Sequence, residues 1–297
     1  MGSGESIENK SDFKFHLRYI STFSAYHELS QGKMLDLEWA YRLDRSYSGN
    51  TLTNNNEIHH RYWIRFSSEK LDARLGLQKI VFGPSRVLRS LSWFDTIDLT
   101  DPTGQTDGVE AFRLRWFLSN SLSLWSWAIN NDQNTLFIGG RAELSVNMGE
   151  WGLTLHTDLS NIHHQVALDY RYDGFIGFWN ESTLIHSNDL DSSMVTIGSD
   201  YTLPIFNGVL IMAESMFISS KQNSSTSSQI WTACMASLPV GILHNVMFIS
   251  KLNWNENHAY NYLRWSSIYD RFIINYTVSV NPSNVGNSLG LMLIYNH

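Results

Sequence analysis

The sequence predicts an all-β fold, a transmembrane antiparallel up-and-down β-barrel of about 16 strands within a range of 14–18. Composition, periodicity and spacing carry that prediction. Charged residues make up 16% of the 297-residue chain, below the roughly 25% usual in soluble domains. Aromatics reach 13%, with 11 Trp, 13 Tyr and 15 Phe, yet mean hydropathy is −0.21. No run approaches the ~18 apolar residues that a membrane helix needs. Segment after segment instead alternates apolar and polar residues with period two, the strand signature. Short turns also interleave with longer polar connections, as when one rim of a barrel carries turns and the other carries loops.

The pattern is clearest from Leu71 to Leu118. Leu71, Ala73, Leu75 and Leu77 share one face, with Asp72, Arg74, Gly76 and Gln78 on the other. After an aperiodic stretch, Phe112, Leu114, Trp116 and Leu118 alternate with Arg113 and Arg115. The intervening loop, 83–108, is long enough to have a function of its own. Its apolar residues need cover, so it is expected to fold into the lumen. Pro84-Ser85 is expected to start a short helix placing Arg86, Arg89 and Trp93 on one side. Asp95 and Asp98 then pair with wall arginines and pin this constriction loop, which also carries Phe94 and Asp101.

In chain order, FKFHLRYI, KMLDLEWAYRL and IHHRYWIRF precede the organising stretch, with SYSGNTLTNNNE as a polar loop between the last two. Beyond it come SLSLWSWAI, LFIGGRAELSVNM and WGLTLHTDL, then QVALDYRY and FIGFWNESTLI around Asp173-Gly174. MVTIGSDYTLP and GVLIMAESMFIS meet near Asn207-Gly208; dipeptides of this kind are strong hairpin signals. WTACMASL, ILHNVMFISKLNW, YNYLRWSSI, RFIINYTVSV and NSLGLMLIYNH complete seventeen segments. Bacterial single-chain barrels have even strand numbers, so one element near the N-terminus or within 120–140 is expected to be misdivided. HSNDLDSS, SKQNSSTSSQ, NWNENH and NPSNVGNS are expected as rim loops. Residues 1–10 are expected to be a disordered or appended lead and 11–297 one barrel domain.

On the inward faces, Arg61, Arg65, Arg74, Arg113 and Arg115 come from three consecutive strands, with Arg18 and Arg42 nearby. Glu143, Asp158, Asp169, Glu181, Asp200 and Glu214 come from the following part of the wall. A lumen basic on one side and acidic on the other orients polar solutes and tunes ion selectivity. The competing expectation is a filled interior in which these charges pair with each other and with the loop. Tyr19, Trp39, Tyr62, Trp116, Trp151, Tyr172, Tyr201 and Tyr295 sit on the apolar parity, where a membrane barrel carries interface girdles.

Other chemistries find little support. His59 and His60 fall on opposite faces of a strand, and His163-His164 precede one in a polar loop, so no metal site is expected. His156 and Asp158 share a parity without a marked serine nucleophile. No phosphate-binding glycine loop occurs, and no cofactor is expected. The net charge of −7 disfavours nucleic acid as a partner. The lone Cys234 is expected as a buried small hydrophobe.

The final strand carries one specific pattern. Ser288, Gly290, Leu293 and Tyr295 fit polar-x-Gly-x-x-hydrophobic-x-hydrophobic, which resembles the C-terminal assembly signal of bacterial outer-membrane barrel proteins. His297 departs from the aromatic residue that commonly ends it. Arg74-x-Gly76-x-Gln78 ahead of a Trp/Asp-bearing loop is also similar to porin and polysaccharide-export barrels. The resemblance implies an integral protein of the bacterial outer membrane, in contact with lipid and with small polar solutes. A porin-like channel for passive diffusion is the expected function. The alternative is a non-conducting barrel subunit of an envelope assembly or export complex; an outer-membrane enzyme ranks below both. Partners then include further copies of the chain or an envelope protein.

Overall fold

The computed structural model describes residues 2–5, 11–130, 135–159, 162–188, 190–222 and 225–296. Seventeen strands, β2 to β18, follow one another in a single antiparallel series, each hydrogen-bonded to the next in sequence. Every hairpin pairs nearest neighbours, the up-and-down arrangement. One more strand, β1 (Gly2–Glu5), pairs with β18 (Ser288–Tyr295) through Gly2↔Gly290 and with β2 (Ser11–Ser30) through Gly2↔Lys14. The ring of pairings therefore closes on eighteen elements, and edge strands are abolished.

The segmentation read from sequence was not misdivided: all seventeen segments are strands. The eighteenth is β1, within the stretch expected to be a lead. Of that stretch, residues 1 and 6–10 lie outside the described residues.

The hairpin β3 (Lys33–Ser48) and β4 (Thr51–Ser67), with β2 (Ser11–Ser30), runs well past its neighbours. β5 (Leu71–Gln78) pairs with β4 only between Tyr62↔Leu77 and Ser67↔Asp72. The rest of β4, about ten residues or ~34 Å at the rise of an antiparallel strand, stands beyond the barrel wall. SYSGNTLTNNNE thus belongs almost entirely to this extension. SKQNSSTSSQ likewise lies largely in β13 (Val209–Gln222) and β14 (Ser225–Val240). These segments are polar on both faces because both faces meet water above the membrane. That polarity is why they resemble loops in sequence.

The outer surface is apolar around the ring. Leu17, Leu75, Phe112, Leu153, Leu168, Ile197, Phe217, Phe248, Leu263 and Leu291 are all exposed and share the outward parity of their strands. A closed barrel with such a belt can leave it only to lipid. Trp116, Trp151, Tyr172 and Tyr295 are also exposed and Tyr201 is half-buried; all five lie near the ends that carry the short turns. Towards the opposite end, Tyr41, His59 and Tyr62 form an outward edge-on group with centroid separations of 5.3 and 5.6 Å. Cys234 faces outward and is exposed, contrary to expectation. It alternates with the buried Ala233 and Met235, so lipid, not protein, is its apolar surrounding.

Between β5 and β6 (Val109–Phe117) the chain leaves the wall over residues 79–108 and fills part of the interior. Phe82, Leu91 and Phe94 pack on Trp127, Ile129, Ala111 and Ala167. Val87, Leu88 and Leu99 reach the other side, where Met212, Met216, Met235, Met247 and Trp179 are buried. The loop is therefore an inward strap, as its apolar content required. It contains no helix.

Candidate functional site: the lumen and its crossing loop

Strand register assembles the basic wall. Arg65 on β4 stands opposite Arg74 on β5, and Arg74 opposite Arg113 on β6. Like charges placed directly across strands repel, and two devices offset that here. Asp36 receives two hydrogen bonds from Arg65, at 2.9 and 2.7 Å. Asp72 lies 3.5 Å from Arg65 and 3.2 Å from Arg113. Aromatic faces supply the rest: Arg74 sits 4.2 Å from the Trp63 ring centroid, and Arg113 and Arg115 sit 4.9 and 4.5 Å from that of Trp125. Cation–π contact stabilises a guanidinium without cancelling its charge. Arg74 makes no ion pair among the described residues.

Arg61 has another task. His60 and Arg61 are both buried because β4 bulges there, with Ala40 opposite Arg61 and Tyr41 opposite His59. The extra residue shifts the strand's parity, which is why His59 shares the outward face with Tyr62. His59 and His60 do fall on opposite faces. Arg61 donates to the carbonyls of His60 and Thr106, and His60 contacts Gln105 at 3.0 Å. Arg42 bridges Asp44 and Asp107 at 2.8 and 3.2 Å, and Arg18 joins Asp44 at 2.7 Å. The returning limb of the loop is thereby moored to the extended hairpin.

The acidic residues come from successive strands of the following part of the wall, but most are already engaged by donors. Glu143 accepts from Arg115, Ser123 and Trp125. Asp169 is bound through both oxygens by Arg141, at 2.5 and 2.9 Å. Arg141 went unmarked in sequence although it shares its parity with Glu143; that shared parity was the available signal. Gly152 makes room for it, since a Cβ there would lie 2.2 Å from the guanidinium. Asp158 is buried near the loop-bearing mouth. Asp200 lies towards the turn-bearing end, 3.9 Å from Arg171. Basic and acidic residues are thus largely interleaved as ion pairs.

Glu181 and Glu214 hold the loop. Glu181, fully buried, accepts from the backbone N–H groups of Ser85, Ser90 and Leu91 and from the Ser90 hydroxyl. Glu214 accepts from the N–H groups of Arg86, Val87 and Leu88 at 2.7–2.9 Å and from the Trp179 indole. The expected helix at Pro84-Ser85 is absent for this reason. Donors that would serve a first helical turn converge instead on two carboxylates. The expected pinning by Asp95 and Asp98 is likewise reversed: wall carboxylates grip the loop backbone. Asp95 pairs with Arg89 inside the loop, and Asp98 accepts from the N–H of Thr100. Arg264 on β16 (His258–Ile268), another residue not singled out in sequence, donates to the Leu99 carbonyl at 3.5 Å. Trp93 packs beside Phe94 and His156 at the mouth.

A closed up-and-down barrel, a lipid-facing belt and a loop folded across the lumen are thus combined in one chain. The fold is that of the outer-membrane porins. No protein-family model matches the sequence, and no curated protein matches it. Solved structures do. OprD of Pseudomonas aeruginosa, an outer membrane protein, aligns with a TM-score of 0.65 at 12% identity, over 99% of this chain and 90% of that one. OpdK of the same organism, solved with vanillate, gives 0.66 at 10% identity, over 99% and 95%. Wzi of Escherichia coli, described as a carbohydrate-binding β-barrel involved in capsule assembly, gives 0.60 at 11%, over 94% and 84%. The porin-like barrel expected from sequence is this fold, and it places the chain among outer-membrane β-barrels. His163 and His164 belong to β10 (His163–Asp173), not to a loop before it.

Proposed function

We propose that the protein is a porin-like channel through which small polar or charged solutes cross the outer membrane by passive diffusion. The observation that carries this reading is the row Arg65, Arg74 and Arg113 facing the lumen where a moored loop narrows it. Solutes pass between this guanidinium-bearing wall and the strap. Most of the wall charge is paired, so selectivity rests on Arg74, with Arg61 behind it near the mouth. A mild preference for anions follows. Catalysis has no part in this reading.

Single-channel recording in a planar bilayer under a salt gradient tests it. Steady ohmic steps with a small anion-selective reversal potential are expected. Arg74→Glu reverses the sign of the selectivity while leaving the step size within about a factor of two, because rings of fixed charge govern ion preference.

One observation favours a second reading, a non-conducting subunit of an envelope assembly or export complex. The loop contributes to apolar clusters on both sides of the lumen, as a plug would. Folded protein that conducts nothing would support that reading and overturn the channel. A homo-oligomer or an envelope protein partner belongs to this alternative.

A further inference from the structure

At the loop-bearing mouth, a cavity of about 520 Å³ opens between the loop and the wall formed by β6 to β10. That lies within the ~300–1,000 Å³ typical of small-molecule sites. Trp93 and Phe94 line it from the loop; Phe137, His156, His163 and Gln165 line it from the wall. His156 is held tightly, stacked on Phe137 at 5.1 Å and meeting Phe94 edge-on at 5.0 Å. Its Nδ1 accepts from the Trp127 indole at 3.1 Å. That bond leaves the ring proton on Nε2 and makes this atom a fixed donor.

Two further polar atoms here are buried without a hydrogen-bond partner among the described residues. They are the Trp93 indole N–H and the Gln165 amide oxygen, although the amide nitrogen of Gln165 meets His163 at 2.9 Å. Turning the amide over would only exchange which of its atoms is left over. Buried donors and acceptors without partners are costly, about 1–3 kcal/mol each, and they persist where a ligand or water completes them. They stand beside aromatic faces, so the site offers stacking and directional hydrogen bonding together.

We propose that this cavity binds a neutral, hydroxyl-bearing ring, a saccharide unit. A pyranose presents C–H faces to aromatic rings, and hydroxyls that both donate and accept around its edge. It can answer the Trp93 donor, the His156 donor and the Gln165 acceptor at once. A monocyclic aromatic acid would answer one or two of them and would bring a carboxylate. Among the described lining residues there is no Lys or Arg to meet that carboxylate, and Glu110 repels anions while accepting from hydroxyls. The mouth thus selects differently from the arginine row deeper in the lumen. Binding at the mouth does not depend on conduction.

The test titrates the full chain, folded in detergent micelles, with maltose and separately with benzoate, followed by tryptophan fluorescence and calorimetry. Maltose is expected to bind saturably, and benzoate not to compete. Trp93→Phe keeps the ring and removes the donor; Gln165→Leu removes the acceptor. Each should weaken maltose binding roughly tenfold, the cost of one lost hydrogen bond. Heat-dependent gel mobility establishes that each variant is folded. The inference is overturned if maltose does not saturate, if both variants bind it like the parent, or if benzoate displaces it. Silent bilayer recordings with intact maltose binding would remove the channel and leave this site standing.

Discussion

Glu214 is 1% exposed and Glu181 fully buried, and neither forms an ion pair among the described residues. Peptide N–H groups solvate them, an arrangement in which each hydrogen bond to a charged acceptor contributes about 1.5–3 kcal/mol. Removing the charge should therefore release the strap without dismantling the barrel. Glu214→Gln is expected to give larger, noisier single-channel currents with unchanged heat-dependent gel mobility; currents like the parent's would count against this anchoring. Gly83→Ala should act in the same direction. Its φ of +82° disfavours any side chain, and a Cβ would lie 2.2 Å from Glu181. At this scale the sequence was half legible. Parity identified Glu181 and Glu214 as inward. It could not assign them to loop amides, because a backbone donor carries no mark in a sequence. Asp95 and Asp98 were assigned to distant arginines when nearer donors, Arg89 and the Thr100 N–H, were at hand.

Strands were the most legible elements, because half of every strand must be apolar to face lipid. The exceptions have physical causes. β1, GSGE, has no apolar alternation to detect; its place comes from the unpaired edges of β18 and β2 on either side. The bulge at His60 moved one strand's parity midway, and polar extensions beyond the membrane imitate loops. The last strand offers a test. Leu293 and Tyr295 are exposed on the outer face, where Leu293→Arg would place a charge in lipid at a cost of up to ~2–4 kcal/mol. Tyr295→Ala places no charge in lipid but alters the pattern that resembles an assembly signal. If that pattern guides assembly, Tyr295→Ala lowers the folded fraction in bacterial membranes yet refolds normally in detergent. Leu293→Arg lowers both. Equal refolding defects in the two variants would remove the targeting role.

For the whole molecule, an inside and an outside are distinguished by solvent, and Cys234 reports on them. Thiols react as thiolates, and hydrocarbon offers neither water nor a base. In lipid vesicles Cys234 is expected to resist a charged maleimide, and to react once urea and detergent unfold the chain. Prompt labelling in vesicles would mean that this wall is not buried in the bilayer. The pairing of lumen charges, by contrast, was beyond sequence reasoning. Inward parity supplied the residues, but only the register of β3 to β10 decided that Arg141 would reach Asp169 and that Asp36 and Asp72 would serve the arginine row.

The mooring of the strap also imposes an order in time. The amides of residues 85–91 are made long before the carboxylates that receive them, which lie 90–128 positions further along the chain. Contacts so distant in sequence form late. Until β11 (Gly177–Ser187) and β13 join the sheet, residues 85–91 lack the carboxylates that hold them, and Val87 and Leu88 lack the wall that covers them. The barrel is consequently built around a wide passage that narrows last. An assembly arrested before that step would be a leaky hole in the membrane, more permeable than the finished protein.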